Sequence, residues 1–499
     1  MTPSEKRLHP LSFLFAIGTH IKNYLPPGIA VLFLTRSATW QIWLMLLFIP
    51  YAIASVVRYL GFTYRFSEEE LIIRTGLVFR NERHIPYTRI QNIGSAQGIV
   101  HRLFRVVEVK VETAGGQEPE ARIQVLSIAA ADEMRARILE EKRRVAPSAP
   151  GVTAKESPPA LLHLSPKELL LCGLVDNRGM VVVAAAAGFA WELGWFGGGG
   201  WSIDTDPLWD TIRSLRGGFP LLGGMVALFL GFLFFLICVR VLSVAWALVK
   251  LYDFQLVKTG RDLGISRGLL THLRTSIPLQ RIQVVTISER LFYRALDRAE
   301  MRVDTAGGSP EEEKGGVSHQ RIAPIIRKEA VAGLLSEILP GIDLGAVEWQ
   351  PVEPGGWKRL AKTYLLICVP ILIGLVSLGG PEWLLAALVL APGALINAKL
   401  HVRHMGWALT DEMVLFRSGW LRRNVSIVRH GKIQALRLSE SPFDRRCGMA
   451  ALGVDTAGAG SSSHRIQIPY LGAATARHLY ERLAERAAGL SPVAPALAV

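Results

Sequence analysis

The sequence predicts an α+β membrane protein in which three two-helix transmembrane hairpins each precede a small strand-rich domain closed by a C-terminal helix. Three observations lead there. A set of Gly, Ile-Gln and Thr-Ala-Gly signals recurs three times at fixed spacing, and an apolar block precedes each recurrence. The mean hydropathy of +0.29, with 50% hydrophobic residues over 499, is also too high for a chain of soluble domains.

The recurrence comes first because a missed repeat misreads the whole fold. Copy one runs from Gly76 through Arg89-Ile90-Gln91 to Thr113-Ala114-Gly115. Copy two runs from Gly268 through Arg281-Ile282-Gln283 to Thr305-Ala306-Gly307, and copy three from Gly419 through Lys432-Ile433-Gln434 to Thr456-Ala457-Gly458. In each copy the Gln lies 15 residues after the Gly and the Thr 22 after the Gln. Offsets of 192 and 151 residues between copies are too long for a solenoid, so each copy reads as a whole domain.

The expected organisation follows. Residues 1–60 hold an N-terminal segment and hairpin 1, 61–142 domain 1, 143–178 a linker, and 179–249 hairpin 2. Then come domain 2 at 250–339, a linker at 340–362, hairpin 3 at 363–400, domain 3 at 401–489 and a disordered tail at 490–499. The expected spans are 24–34 with neighbouring residues, 40–60, 180–193, 220–249, 363–379 and 383–400, judged against the roughly 20 apolar residues a crossing needs. For 24–34 and 180–193 a buried core helix is the competing reading. No cleavable signal peptide is read, because His20, Lys22 and Asn23 interrupt the first apolar run.

Two spans before every repeat put all three domains on one side. That side carries Arg58, Arg65, Arg240, Lys250, Lys258, Lys399 and Arg403, and the positive-inside bias assigns it to the cytoplasm.

Each domain opens with a β-hairpin, as in Phe62–Phe66, a turn at Ser67–Glu70, then Leu71–Gly76. Short strands follow at Leu77–Arg80, Ile90–Ile93 and Val106–Thr113, the last with strict alternation. A final strand holds an Arg-Ile pair at Arg122, Arg321 and Arg465. Amphipathic helices over Ala129–Lys142, Arg327–Leu339 and Ala473–Ala488 close the units. Pro/Ser-rich composition makes 143–165 and 340–356 linkers.

Catalytic and cofactor chemistry is not read anywhere. Cys172, Cys238, Cys368 and Cys447 have no metal or disulfide spacing. His401 and His404 have no carboxylate or Cys nearby and suit a juxtamembrane position. Gly197–Gly200 lacks the Lys-Ser/Thr of a phosphate loop, and Ser461-Ser-Ser-His464 reads as a polar hairpin tip. A formal net charge of +14 fits attraction to anionic lipid, or ordinary positive-inside topology, without nucleic acid. Glu192 and Arg240 are charges within or beside the apolar blocks; snorkelling toward the interface explains both, and a polar path through the spans is the competing reading.

The basic-Ile-Gln segment carries two readings. In one, Ile90, Ile282 and Ile433 fill the domain interior while the basic residue and the Gln hold neighbouring strands or carbonyls. In the other, Arg83, Arg89 and Gln91, Arg274, Arg281 and Gln283, and Arg423, Lys432 and Gln434 form a binding edge for lipid phosphates or a partner's carboxylates.

The segments Pro86-Tyr-Thr-Arg-Ile-Gln91, Arg102-Leu-Phe104 and Thr113-Ala-Gly115 resemble bacterial pleckstrin-homology (bPH2) proteins of the YdbS/YdbT type. So do Pro278–Gln283, Arg290-Leu-Phe292 and Thr305–Gly307. The third copy departs, with Arg429 in the proline's place and Lys432 for the arginine. The resemblance implies PH-like β-barrels with a capping helix, on a bacterial inner-membrane protein without known catalytic residues.

The resulting expectation is a non-catalytic, integral membrane scaffold. Its three cytoplasmic domains would engage a partner protein or anionic headgroups, in envelope maintenance. The alternative is an accessory subunit or conduit for export or transport of a lipid or peptide.

Overall fold

The computed structural model describes residues 6–7, 57, 61–67, 69–76, 79–113, 121–145, 160–176, 179–180, 183–184, 188, 220–306, 319–379, 384–457 and 465–490. The first expected hairpin, most of 180–193, the Gly197–Gly200 run, Glu192, the Ser461–His464 tip and the tail lie outside these residues.

Repeat 1 comprises β1 (Lys6–Arg7), β2 (Thr63–Phe66), β3 (Glu70–Thr75), β4 (Asn81–Pro86), β5 (Ile90–Gln97), α1 (Ile99–Leu103), β6 (Val106–Thr113), β7 (Ala121–Ser127) and α2 (Ile128–Val145). The strand expected at Leu77–Arg80 begins only at Asn81. Leu77 and Val78 lie outside the described residues, and Phe79 and Arg80 precede the strand.

Repeat 2 comprises β8 (Ala160–His163), α3 (Pro166–Val175), α4 (Pro220–Leu251), β9 (Gln255–Thr259), β10 (Asp262–Arg267), β11 (His272–Pro278), β12 (Ile282–Arg290), α5 (Leu291–Ala295), β13 (Arg298–Thr305), β14 (His319–Arg327) and α6 (Lys328–Ile338). Repeat 3 comprises β15 (Gln350–Pro351), α7 (Gly356–Gly379), α8 (Leu384–Arg403), β16 (Gly406–Leu409), β17 (Met413–Ser418), β18 (Arg422–Arg429), β19 (Ile433–Ser439), α9 (Pro442–Arg446), β20 (Met449–Thr456), β21 (Arg465–Gly472) and α10 (Ala473–Leu490).

Both segments read as linkers therefore contain structure. In the first, Ser165 caps α3: its Oγ accepts from the Glu168 N–H, and the Glu168 carboxylate accepts from the Ser165 N–H. This capping box fixes the helix start despite the Pro/Ser composition before it. In the second, β15 precedes a helix that starts at Gly356, ahead of the span expected from 363.

The strand ahead of each apolar segment pairs with the first strand after it. Lys6 lies opposite Tyr64, Ala160 opposite Val257 and Gln350 opposite Trp407, all antiparallel. The chain thus leaves and re-enters the same sheet around 166–251 and again around 356–403.

The chain divides into two compact units, Met1–Ser276 and Ile277–Val499, and the boundary falls inside repeat 2 at the end of β11. The sheets explain the division. Sheet order is β1-β2-β3-β4, then β7-β6-β5-β11-β10-β9-β8, then β14-β13-β12-β18-β17-β16-β15, then β19-β20-β21. The strands after the Ile-Gln of one repeat continue into the strands before the Ile-Gln of the next. Adjacent repeats thus share seven-stranded sheets.

In the first unit, repeat 1 closes over a core of Tyr64, Phe66, Leu71, Ile73, Ile85, Ile90, Val109, Val111, Ile123 and Leu126, capped by Met134 and Ile138 of α2. Each such side chain contributes roughly 1.5–3 kcal/mol on burial. In the second unit, Trp407, Val414, Val428, Leu452, Val454 and Ile468 form the repeat 3 core under Leu479 and Leu483 of α10. The 3.6-residue spacing of those helix residues is what presents them on one face.

Helix α4 is different in kind. Its stretch Phe229–Leu251 has a window of mean hydropathy 2.5, only 17% of which is buried, with Phe229, Phe232, Phe234 and Ile237 exposed. By length and composition this is the one helix among the described residues apolar enough to cross a membrane. Helix α3 packs on its C-terminal half through Gly173, where a Cβ would fall 2.5 Å from the Val244 Cα. Arg240 donates to the Leu174 carbonyl at 3.0 Å, so its charge caps α3's C-terminal end.

Candidate interaction surface at the repeat junctions

The residues singled out in sequence sit on one recurring local structure. Gly76, Gly268 and Gly419 have φ of +90°, +112° and +82°, a region that strains any residue with a Cβ. A Cβ at Gly268 or Gly419 would also meet the carbonyl oxygen three residues on at 2.0 Å. The tight hairpin turns the chain into β4, β11 or β18, and a single 3-10 turn then leads into the Ile-Gln strand.

There the Gln is a β-bulge. Ile90 opposes Thr113 and Asn92 opposes Glu112; Ile282 opposes Thr305 and Val284 opposes Asp304; Ile433 opposes Thr456 and Ala435 opposes Asp455. Gln91, Gln283 and Gln434 are the extra residues. The constant spacing from Gln to Thr is this strand register.

The basic residues take different positions in each repeat. Arg281 donates from both Nε and Nη2 to the Ala306 carbonyl, and the Ala306 N–H donates to the Arg281 carbonyl, which locks the Thr-Ala-Gly turn onto the 3-10 turn. Lys432 instead reaches the Gln280 carbonyl of repeat 2 at 2.6 Å. Burial, and the positive charge of Arg429, hold its ammonium below the ordinary lysine range. Arg89 is exposed. Gln283 is buried, donates to the Arg281 carbonyl and leaves its Oε1 without a partner, whereas Gln434 is exposed.

Arg83, Arg274 and Arg423 lie on the strand before the 3-10 turn but at different positions, 7, 6 and 4 residues after their turn glycines. Arg83 lies on β4, the outer strand of its sheet. Arg274 lies opposite Ser95 of repeat 1, and Arg423 opposite Glu289 of repeat 2. Arg274 and Arg423 thus both lie inside junctions between repeats, at different positions of the shared register.

The junctions repeat in detail. Gln97 opposes His272 and Glu289 opposes Arg423, which are the same two positions displaced by the repeat offsets. Arg102 of α1 donates to the Leu269 carbonyl at 2.6 Å, and its counterpart Arg294 of α5 donates to the Trp420 carbonyl at 2.8 Å. In the second junction the Ser288 hydroxyl also donates to Asn424 at 2.8 Å.

One cluster lay beyond the sequence reading. Glu300, 1% exposed, takes Arg302 at 2.8 Å, Arg321 at 2.9 Å and Arg290 at 3.9 Å. Burial opposes its charge, but the three guanidiniums outweigh it and hold the carboxyl below the usual range. Arg422, across the junction from Arg290, has its own pKa lowered by burial and by these arginines. The residues gather only because β12, β13, β14 and β18 are neighbours.

The hairpin tips meet the helices. The Leu269 N–H donates to the Val249 carbonyl near the end of α4, and the Trp420 indole N–H donates to Asn397 of α8 at 2.7 Å. Leu269, Leu270 and Leu421 at these tips, and Leu291 and Phe292 of α5, are exposed.

Comparison with known proteins agrees with this architecture. The chain is 24% identical over 489 residues, 93% of its length and 94% of the relative's, to the UPF0699 transmembrane protein YdbT of Bacillus subtilis (strain 168). No solved structure matches it. The family model for the bacterial PH domain matches three times, at residues 16–142, 212–339 and 365–487. A thrice-repeated turn, bulge and closing helix, matched by one family model over most of the chain, places this protein in the bacterial PH domain family.

Proposed function

We propose that the protein is a polytopic scaffold of the bacterial inner membrane, with three transmembrane hairpins and its PH-like repeats on the cytoplasmic side. The observation that carries the reading is the pairing of strands flanking each apolar segment, β1 with β2, β8 with β9 and β15 with β16. A chain that returns to the sheet it left crosses a bilayer an even number of times. If α4 crosses once, a second crossing lies between Val175 and Pro220. The pair α7 and α8 supplies the third hairpin.

The scaffold role rests on the shared sheets. Each seven-stranded sheet joins strands of two adjacent repeats into one continuous sheet. Exposed Leu269, Leu270, Leu421 and Phe292 would lie at the acyl boundary, with Arg290 and Arg294 among phosphates. The exposed Arg89 is the repeat 1 member best placed to meet a headgroup or a partner's carboxylate.

The test uses full-length protein in nanodiscs with a spin label at Leu270→Cys or Leu421→Cys. The reading predicts high accessibility to oxygen and low accessibility to a water-soluble nickel complex at both sites. The reverse at both sites would remove the rim from the membrane surface.

A further inference from the structure

The same junction occurs twice within the chain, and each of its halves is also left over once. The β5-type strand of repeat 1 takes β11, and the β5-type strand of repeat 2 takes β18. Among the described strands, β19 of repeat 3 and β4 of repeat 1 are outermost in their sheets. They are the two complementary halves of a third junction.

We propose that β19 of one molecule pairs antiparallel with β4 of a second copy of this chain, joining molecules head to tail. Both internal junctions use one register, and carrying it over by the repeat offsets sets Ser439 opposite Asn81, Leu438 opposite Glu82, Leu436 opposite His84 and Ala435 opposite Ile85. At the next step Glu440 faces Arg80, as its counterpart Glu289 faces Arg423.

Burial supports the match. Val284, Val285 and Ile287 of β12, which pair with β18, are buried, as is the preceding Gln283. Their counterparts Gln434 and Ala435 are exposed, and Leu436 and Leu438 are only half-buried. The donor that accompanies each junction, Arg102 or Arg294, has as its counterpart Arg445, which is exposed beside β19. A seven-residue outer strand with apolar side chains is a template for strand addition. Because β19 meets β4 and not a second β19, the contact is heterologous and generates rings or open rows, not a two-fold dimer.

The experiment mixes two differently tagged full-length chains in one membrane, each with its four native cysteines replaced by alanine. One carries Asn81→Cys and the other Ser439→Cys, and a short bifunctional thiol reagent is added. The proposal expects a crosslinked species bearing both tags, and little product when both chains carry Asn81→Cys or both carry Ser439→Cys. Glu440→Arg should reduce the mixed product severalfold, and adding Arg80→Glu to the other chain should restore it. No mixed product, a dominant Ser439→Cys homodimer, or a yield indifferent to the charge exchange would each overturn the proposal.

Discussion

Arg294 on the short helix of repeat 2 donates to the main-chain carbonyl of Trp420 on the hairpin tip of repeat 3, at 2.8 Å. This bond and its twin from Arg102 to Leu269 fasten neighbouring repeats where their strands already pair. The fold is thus organised by junctions as much as by domains.

Loss of the Arg294 bond should loosen one junction without unfolding the rest. Arg294→Ala is expected to weaken it by about 1.5–3 kcal/mol, the worth of a hydrogen bond from a charged donor. Faster amide exchange in β12 and β18, with β2–β4 unchanged, would verify this.

Glu300 should stabilise the same region strongly at neutral pH. Its carboxyl is depressed in the folded protein, so its stabilisation is present above the unfolded value of about 4.3 and is lost as pH falls through the lower folded value. Glu300→Gln leaves three half-buried arginines without their anion and is expected to cost about 3 kcal/mol at pH 7. Denaturation at pH 7 and near pH 3 should show the gap between wild type and variant shrinking in acid.

Buried His430 has the opposite charge logic. Burial first, then the positive charge of Arg486, lowers its pKa, so the folded state keeps the ring neutral. Stability of repeat 3 is therefore full above the unfolded value of about 6.5 and declines as pH drops below it. His430→Gln should lower stability at pH 7.5 yet flatten the slope between pH 6.5 and 5.

The turn glycines should tolerate no side chain. Gly268→Ala and Gly419→Ala combine positive φ with a 2.0 Å clash against backbone, and each is expected to destabilise by about 1–3 kcal/mol. At Gly264 a Cβ would meet only the Val257 carbonyl at 3.7 Å, so Gly264→Ala is the control expected to show little change in melting temperature.

Much of each repeat was legible in sequence because local chemistry dictates it. Positive φ demands Gly76, Gly268 and Gly419, and a bulge at Gln91, Gln283 or Gln434 followed by a fixed strand pair sets the spacing to Thr. The junctions were not legible. Alternation in Ile282–Arg290 says which face is apolar but not which strand its free edge will meet. The two-residue strands Lys6–Arg7 and Gln350–Pro351 are too short for any periodicity, and Ala160–His163 sits behind a Pro/Ser stretch that reads as a linker. Arg281 and Lys432 looked alike in sequence, yet one closes its own turn and the other reaches the preceding repeat.

The proposal that all three repeats lie on one side of the membrane rests on strand pairing across each apolar segment, and one measurement tests it most directly. Single cysteines replace the exposed residues Arg137, Glu329 and Glu481, one per repeat, in a chain whose native cysteines are alanine. A membrane-impermeant maleimide is then applied to intact spheroplasts and to inverted vesicles. The account predicts labelling of all three in inverted vesicles and of none in spheroplasts. Labelling of any one repeat from the spheroplast exterior would contradict it.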